Sequence, residues 1–289
     1  MIRDKELTRS GFVEPVITPE QYVLGAGQVP LSPLKMDSDW SDVKHVKEYQ
    51  NKPSFDTFNC TGFNALNHTE HYELVAFGEL KNYSDRWLGI IAGTRPPGND
   101  PQTVYEAIRK YGLIPEEMLP FTDDIKNVDE YYSFKGGNME KCYAEGRRWL
   151  EKYDFKHEWV FDRNDSLSTK ISNMQYALKY SPLAIAVYAW ATDDKGVYVR
   201  RGVDVHWTSM YALKDYMKIF DSYDPIEKDV EQEIYYCKRI HMEKKPIIIK
   251  TTLREKVLSM WASIKTWWNR EKLVYRWFKK GLIEDSKKK

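Results

Sequence analysis

The first half of the chain repeats apolar residues with the period of an α-helix. After Cys60, apolar side chains recur every three or four residues, which predicts a helix from Cys60 to about Leu80. Helices with a capping residue before them and a glycine or proline signal at the other end are predicted for residues 84–92 and 100–111, and further helices for 139–153 and 168–180. The first half is therefore expected to be mainly helical.

The pattern changes after Pro182 to the two-residue alternation that is typical of β-strands. It predicts strands at residues 183–190, 196–200, 205–213, 216–223, 233–242 and 246–251, and an earlier strand at 157–161. Short turns between such strands produce antiparallel sheets. The predicted fold class is α+β, with a helical lobe over about residues 46–165 and an antiparallel β-sheet or barrel lobe over about 166–249.

The two ends of the chain differ from both patterns. Residues 1–45 contain prolines and glycines that break any long helix, which predicts an extended arm across the body. Residues 250–289 hold an apolar stripe at helical spacing, including Trp261 and Trp268, with basic residues around it. This tail is predicted to form an amphipathic helix. Either it packs on the body or on another copy of the chain, or it lies on an anionic membrane surface.

Composition and charge narrow the class of protein. With 289 residues, of which 42% are hydrophobic and 30% charged, the chain has the composition of a soluble globular protein. Residues 250–289 contain 12 Lys and Arg against 4 Asp and Glu, whereas the whole chain has a formal net charge of +1, so the body is acidic. An acidic body with a basic tail argues against a nucleic-acid-binding core.

Cysteine usage and the N-terminal residues indicate the compartment. Cys60, Cys142 and Cys237 have no CxxC spacing, which argues against a disulfide framework and a cysteine-built zinc site. The first residues, MIRDKELTRSGF, lack the apolar core of a secretory signal, and no run of about 18 apolar residues predicts a membrane span. We expect a reducing compartment: the cytoplasm, or the host cytoplasm or a virion if the chain is viral.

The stretch QNKPSFDTFNCTGFNAL, residues 50–66, places a cysteine where a polar loop runs into a helix. At a helix N-terminus, unpaired N–H groups and the positive end of the helix dipole stabilise a thiolate and lower the pKa of a thiol. Cys60 therefore has the setting of a nucleophile. The alternative is a small buried apolar side chain, which is the commoner state of a free cysteine.

Two later residues complete a set that can activate a thiol. His206 lies in a strand-like run, VDVHW, and Asp221 lies in the next predicted strand. A nucleophile on a helix, a base on a strand and a polar group that orients the base form the general arrangement of a catalytic triad. The sequence predicts that Cys60, His206 and Asp221 meet.

At these residues the chain resembles the papain-like cysteine peptidases, and most closely the compact members encoded by bacteriophages. In that family the histidine follows the cysteine by roughly 130–150 residues, which fits His206, and Asp221 lies a little beyond. The resemblance spans about residues 40–224 and implies a two-lobe fold with the active site in the cleft. Further matching segments occur in the family's order: DSDW, SDRWLGIIAGT, GND, YGLIPEEMLPF, SPLAIAVYAW, HWTSMYAL and KIFDSYDP.

The resemblance implies a peptidase that acts on a polypeptide substrate. Cys60 would attack the peptide carbonyl, His206 would transfer protons, and Asp221 would orient His206. Gln50 and the Cys60 N–H would bind the oxyanion. Family members have asparagine in place of Asp221 and tryptophan in place of Thr61, and the missing tryptophan predicts that water reaches the His–Asp contact.

Two other functions are consistent with these residues. One is a peptidoglycan-cleaving amidase or endopeptidase that uses a cysteine and a histidine, and the other is a non-catalytic papain-like module for binding or for assembly into a virion. No cofactor is expected, because no Gly-rich phosphate motif of standard spacing occurs. NHTEHYE offers His68, Glu70, His71 and Glu73, but not in the HExxH order, so a solvated helix face is predicted there and not a metal site.

Overall fold

The computed structural model describes residues 11–18, 21, 23–43 and 46–246, and further along Met260, Ile264 and Lys265. Its order of helices and strands confirms the predicted α+β class. The helices are α1 (Cys60–Phe77), α2 (Asp85–Ile91), α3 (Pro101–Tyr111), α4 (Val128–Tyr131), α5 (Met139–Lys152) and α6 (Leu167–Ala177), with a 3-10 turn at Glu116–Met118. The strands are β1 (Gly11–Phe12), β2 (Asn51–Lys52), β3 (Phe55–Asp56), β4 (Gly98–Asn99), β5 (Tyr153–Trp159), β6 (Leu183–Thr192), β7 (Tyr198–Leu213), β8 (Met217–Phe220), β9 (Glu227–Glu231) and β10 (Cys237–Lys244).

The predicted helix ends are confirmed by their capping contacts. Ser84 accepts a hydrogen bond from the Trp87 N–H at 3.1 Å at the start of α2. Asp100 accepts one from the Thr103 N–H at 3.0 Å at the start of α3. These side chains accept hydrogen bonds from N–H groups that have no partner within the helix, because they belong to its first turn. Gly112 ends α3 with a positive φ of 72°, a conformation that favours glycine.

In the described part of the chain, six strands form one sheet in the order β5-β10-β6-β7-β8-β9. Neighbouring strands in this order are antiparallel, and a short parallel pairing joins β7 to β9. β7 is the longest strand and carries His206. β5 belongs to the sheet although it precedes residue 165, the predicted end of the helical lobe.

The short strands β1 to β4 were not predicted, and within the six-stranded sheet the largest differences lie at β7 and β9. The predicted strands at 196–200 and 205–213 form, from Tyr198 onwards, the single strand β7, because β6 pairs with it on both sides of a register shift, as in the pairs Tyr188 with Val205 and Trp190 with Arg200. β9 was not predicted, since its sequence EKDVE looks like a polar loop. Alternate residues Lys228 and Val230 are nevertheless buried. The strand predicted at 246–251 lies, beyond residue 246, outside the described residues.

Helix α1 packs on the middle of this sheet. Ala184 and Ala186 of β6 belong to the same apolar cluster as Cys60. Their neighbours Leu183, Ile185 and Val187 belong to a second cluster on the other side of the sheet. The Asn64 side chain joins the two elements by donating to the Trp207 carbonyl at 2.6 Å and to the Cys60 carbonyl at 2.9 Å. The start of α1 is thereby fixed against β7.

The N-terminal arm lies against the loop that leads into α1. β1 pairs in parallel with β4, with Gly11 opposite Gly98. A Cβ atom on Gly11 would lie 2.1 Å from the carbonyl oxygen of Phe58, so a side chain does not fit here. Phe12 stacks on Trp207 with 5.9 Å between the ring centroids. The arm therefore touches both the loop before Cys60 and the strand that carries His206.

The chain divides into two compact units, Met1–Lys245 and Pro246–Lys289. In the second unit Met260, Ile264 and Lys265 are helical and exposed. The rest of the predicted amphipathic tail, residues 250–289, lies outside the described residues. Among the helices that are described, none combines the length and the apolar character needed to cross a membrane.

Candidate active site

Cys60 is the first residue of α1, as predicted, and its side chain is fully buried. The preceding residue, Asn59, does not cap the helix with its side chain. Instead, the Asn59 amide donates to the Asp85 carbonyl at 3.1 Å and to the Tyr131 hydroxyl at 3.0 Å. The N–H groups of the first turn therefore have no side-chain cap, and they can stabilise negative charge near the thiol.

Burial controls the ionisation of the Cys60 thiol. It raises the pKa well above the usual value, and Asp56 and Asp221 raise it further, while hydrogen bonds from the Trp207 and Thr61 N–H groups lower it. The prediction of a lowered pKa is therefore wrong for this structure, because removal of a thiolate from water outweighs the helix end. A thiolate at this position requires a positive charge that forms together with it.

His206 and Asp221 meet as predicted. His206 lies on β7, Asp221 directly follows β8, and the His206 Nε2 is 2.5 Å from Asp221 Oδ1. With an ionised carboxylate as acceptor, Nε2 carries the proton and Nδ1 has the free lone pair. Nδ1 is buried and has no hydrogen-bond partner among the described residues. The Asn64 amide donates to the carbonyls of both Cys60 and Trp207, so the start of α1 lies beside the strand segment that carries this base.

Aromatic rings shield the contact between His206 and Asp221, contrary to the expectation drawn from Thr61. Trp190 packs edge-on against the imidazole with 5.7 Å between ring centroids, and Tyr223 lies at 5.2 Å on a tilted plane. His206 is 3% exposed and Asp221 is 0% exposed. A tryptophan from β6 thus excludes water where the tryptophan missing at Thr61 had predicted that water enters.

Lys228 is a residue of this site that sequence reasoning missed. Its Nζ donates to Asp221 Oδ2 at 2.6 Å, to the Tyr223 carbonyl at 2.8 Å and to the Pro225 carbonyl. Burial tends to raise the pKa of Asp221, but the charges of Lys228 and His206 bring it down to about 2. The alternation in EKDVE, which turns Lys228 towards the interior, is the signal that could have revealed it.

Gln50 is buried in the same region, but its amide group already has partners. Its Nε2 donates to the Tyr223 hydroxyl at 2.7 Å and to Asp56 Oδ1 at 3.2 Å, and its Oε1 accepts from the Ser222 hydroxyl at 2.7 Å. Asp56 also accepts from the Phe58 N–H at 2.7 Å and from the Tyr223 hydroxyl. The Gln50 amide, which would have to donate to an oxyanion, therefore already donates to the carboxylate of Asp56.

Comparison with solved structures identifies the fold. The chain is similar to xylellain, a cysteine protease from Xylella fastidiosa, with a TM-score of 0.55 and 11% sequence identity over 82% of this chain and 96% of that one. The fold is papain-like. The chain is also similar to digestive procathepsin L 3 of Tenebrio molitor larval midgut, with a TM-score of 0.51 and 12% identity over 83% of this chain and 79% of that one. A third match is the Carica candamarcensis cysteine protease CMS1MS2 (TM-score 0.51, 12% identity, 72% of this chain and 98% of that one).

These likenesses confirm the predicted two-lobe papain-like fold. Neither the protein-family models nor the curated proteins that were compared with the sequence give a match. At 11–12% identity, the likeness is one of backbone arrangement. The chemistry of this papain-like chain must therefore be argued from its own residues.

Replacing Asp56 with asparagine is expected to make Cys60 more reactive. The change removes a negative charge that raises the pKa of the thiol. We expect the pH profile of iodoacetamide alkylation to move to lower pH, with a rate at pH 7 about three- to tenfold higher. Peptide mass mapping distinguishes Cys60 from Cys142 and Cys237. Asp129→Asn, an exposed carboxylate on α4, serves as the control, and a profile unchanged in Asp56→Asn would contradict the prediction.

The histidines of NHTEHYE are buried, so the predicted solvated helix face is wrong. His68 hydrogen-bonds to the Tyr105 hydroxyl and to the Ser181 hydroxyl, each at 2.8 Å. Burial lowers the pKa of His68 to about 3, so the ring is neutral. α1 lies in the middle of the papain-like fold and is covered on nearly all sides. Its buried polar side chains, apart from the Thr61 hydroxyl, are therefore hydrogen-bonded to protein groups.

A different set of side chains could hold a metal ion in the described part of the chain. Glu48, Asp85 and Glu116 each offer a ligand atom, and these atoms lie within 4.8 Å of one another. Burial raises the pKa of Asp85 well above its usual value and that of Glu116 to about 8. In the absence of a cation, burial thus favours the protonated form of Asp85 and Glu116.

Proposed function

We propose that the chain is a cysteine peptidase in which Cys60 is the nucleophile, His206 the acid and base, and Asp221 the group that orients His206. The observation that carries the proposal is the 2.5 Å hydrogen bond from His206 Nε2 to Asp221, together with a buried Nδ1 that has no partner in the described residues. The Asn64 side chain, which donates to the carbonyls of Cys60 and Trp207, holds the start of α1 beside the strand segment that carries His206. An imidazole fixed through one nitrogen is suited to accept a thiol proton on the other.

The reaction begins with transfer of the Cys60 thiol proton to Nδ1 of His206. The thiolate and imidazolium form as a pair, and the carboxylate of Asp221 stabilises the imidazolium. The sulfur then adds to the peptide carbonyl carbon, and the π electrons of the carbonyl move to its oxygen. When this intermediate collapses, the C–N bond breaks and the amine leaves with the proton from His206. A thioester remains on Cys60.

Water completes the cycle through the same base. Nδ1 of His206 removes a proton from a water molecule as the water oxygen attacks the thioester carbon. The C–S bond breaks, the sulfur of Cys60 regains the proton, and the carboxylic acid product leaves. Because the thiolate exists only beside an imidazolium, the high thiol pKa caused by burial does not prevent the reaction.

The oxyanion of both tetrahedral intermediates would be bound by the Cys60 N–H and the amide of Gln50. The uncapped first turn of α1 supports the first donor. The second donor is shared between Asp56 and Tyr223 in this structure. Gln50 would have to exchange the Asp56 carboxylate for the oxyanion when substrate binds.

One observation favours an alternative, a papain-like module that binds without catalysis. Cys60 is 0% exposed, and a thiol that water does not reach cannot meet a substrate until its neighbours move. The peptidoglycan-cleaving alternative has no such observation behind it. The closeness to phage-encoded members, and the packing or membrane binding of residues 250–289, stay predictions from the sequence.

Reaction with a biotinylated epoxide inhibitor tests the proposed function. We expect mass spectrometry to locate the adduct on Cys60 and not on Cys142 or Cys237, and casein hydrolysis to disappear in Cys60→Ala. Cys142→Ala should remain active, because Cys142 lies in a separate apolar cluster. An unlabelled Cys60 with no hydrolysis of casein would favour the binding module, and hydrolysis of cell walls alone would favour the peptidoglycan enzyme.

A further inference from the structure

A cavity of about 370 Å³ lies beside the strand that carries His206. Val205, the residue before His206, forms part of its wall, and Phe12 of the N-terminal arm forms another part. Phe12 in turn stacks on Trp207, the residue after His206. Ala186 and Tyr236 of its wall belong to the same apolar cluster as Cys60 and Trp207, so the cavity lies on the side of the sheet where the proposed nucleophile is, a position suited to a side chain of a bound substrate.

One wall of the cavity contains a receptor for a carboxylate. The Tyr236 hydroxyl donates to Oε1 of Glu14 at 2.6 Å, and Nη1 of Arg163 donates to the same oxygen. Arg163 Nη1 also donates to the Tyr236 hydroxyl at 2.8 Å, which fixes the two donors relative to each other. Charge-assisted hydrogen bonds of this kind are stronger than bonds between neutral groups. The carboxylate in the receptor belongs to the arm of the same chain.

A second cation of the cavity has no carboxylate partner among the described residues. The Arg200 guanidinium lies over the Tyr188 ring, 3.8 Å from the ring centroid, and its Nε donates to the Gly202 carbonyl at 3.1 Å. The cavity wall thus presents two arginines and one glutamate. This excess of positive charge favours a negatively charged occupant.

We infer that the cavity receives an acidic side chain of the polypeptide substrate, and that Glu14 is an internal occupant of the same carboxylate receptor. The inference rests on the proposed peptidase function and narrows it to substrates with Glu or Asp near the scissile bond. The side chains of Arg163 and Glu14 are 49% and 57% exposed, so water weakens their attraction. A preference for Glu over Gln of about three- to tenfold is expected for contacts of this exposure.

Peptide binding to the full chain carrying Cys60→Ala separates recognition from chemistry. Hexapeptides with one Glu at successive positions, and the same peptides with Gln, are titrated by calorimetry at low ionic strength. At one position the Glu peptide should bind about three- to tenfold more tightly than its Gln counterpart. Glu14→Gln should increase the affinity for that Glu peptide, because the internal competitor is weakened.

Single arginine variants locate the effect. Arg163→Gln and Arg200→Gln should each reduce the Glu-to-Gln ratio to about twofold or less, whereas Arg163→Lys should retain part of it. Arg148→Gln, an exposed arginine on α5 that does not line the cavity, should leave the ratio unchanged. Equal binding of the Glu and Gln peptides at every position overturns the inference. A preference that survives both Arg163→Gln and Arg200→Gln overturns it as well.

Hydrolysis of the same peptides by the chain with Cys60 intact distinguishes this inference from the proposed function. Cleavage without any preference for Glu rejects the acidic specificity and leaves the peptidase function standing. Selective binding of the Glu peptide without cleavage rejects the peptidase function and leaves the carboxylate receptor standing.

Discussion

Replacing Lys228 with methionine is expected to lower the free energy of unfolding by about 3–5 kcal/mol at neutral pH. The Nζ of Lys228 lies 2.6 Å from Asp221 Oδ2, and the two side chains are 1% and 0% exposed. Removing one member of a buried ion pair leaves the charge of the other without compensation, which costs more than the pair itself contributes. Urea denaturation followed by circular dichroism measures the loss.

The pH dependence of this variant has a definite sign. In the wild-type chain the pKa of Asp221 is about 2, below the value of about 3.9 for an unfolded aspartate. The group therefore stabilises the fold fully above about pH 4, and this contribution is lost as the pH falls through about 2. Without Lys228, burial raises the pKa of Asp221, so protonation relieves the uncompensated charge. The difference in stability between the wild type and the variant should therefore shrink as the pH falls.

The double variant Asp221→Asn with Lys228→Met is the matched control. It removes both charges and leaves side chains of similar size, and replacing a whole buried pair is often close to neutral. We therefore expect the double variant to be more stable than Lys228→Met alone. A double variant that is as unstable as Lys228→Met would mean that lost packing, and not the uncompensated charge of Asp221, causes the loss of stability in the single variant.

Replacing His206 with alanine is expected to lower kcat by at least about 10⁴-fold, nearly as much as Cys60→Ala, because members of a triad act as a unit. Asp221→Asn should leave more residual activity, since an amide can still accept the hydrogen bond that orients His206. Steady-state hydrolysis of a fluorogenic peptide gives kcat and kcat/KM, and circular dichroism confirms that each variant is folded.

A second buried histidine provides the control for this change. His157 on β5 hydrogen-bonds to Glu106 at 3.1 Å and to Lys238 at 3.2 Å, away from Cys60. His157→Gln should therefore retain activity in the folded protein. Activity that survives in His206→Ala and disappears in His157→Gln would show that the wrong base has been assigned.

Local signals in the sequence were sufficient to predict the ends of two helices and part of the candidate site. Ser84, Asp100 and Gly112 act within a few residues of their own position, so the ends of α2 and α3 could be predicted from neighbouring residues. The contact between His206 and Asp221 could be predicted because a base on one strand and a polar group that orients it are the general arrangement of a triad.

Features that depend on distant parts of the chain could not be predicted in this way. Lys228 was missed because β9 is a polar segment, and only its pairing with β8 turns Lys228 towards Asp221. The pKa of Cys60 was predicted in the wrong direction because burial depends on the packing of the whole fold around α1. The shielding by Trp190 depends on the pairing of β6 with β7, which brings two separate segments together.

The contacts of β1 affect the order in which the protein assembles. Gly11 and Phe12 come early in the chain, but their partners Gly98, Trp207 and Tyr236 are made much later. At a synthesis rate of roughly 5–20 residues per second, the arm leaves the ribosome on the order of ten seconds or more before Tyr236 exists. Contacts so distant in sequence form slowly. In a newly made chain, β1 can therefore pair with β4 before β7 exists, whereas Phe12 can stack on Trp207 only after β7 has been made.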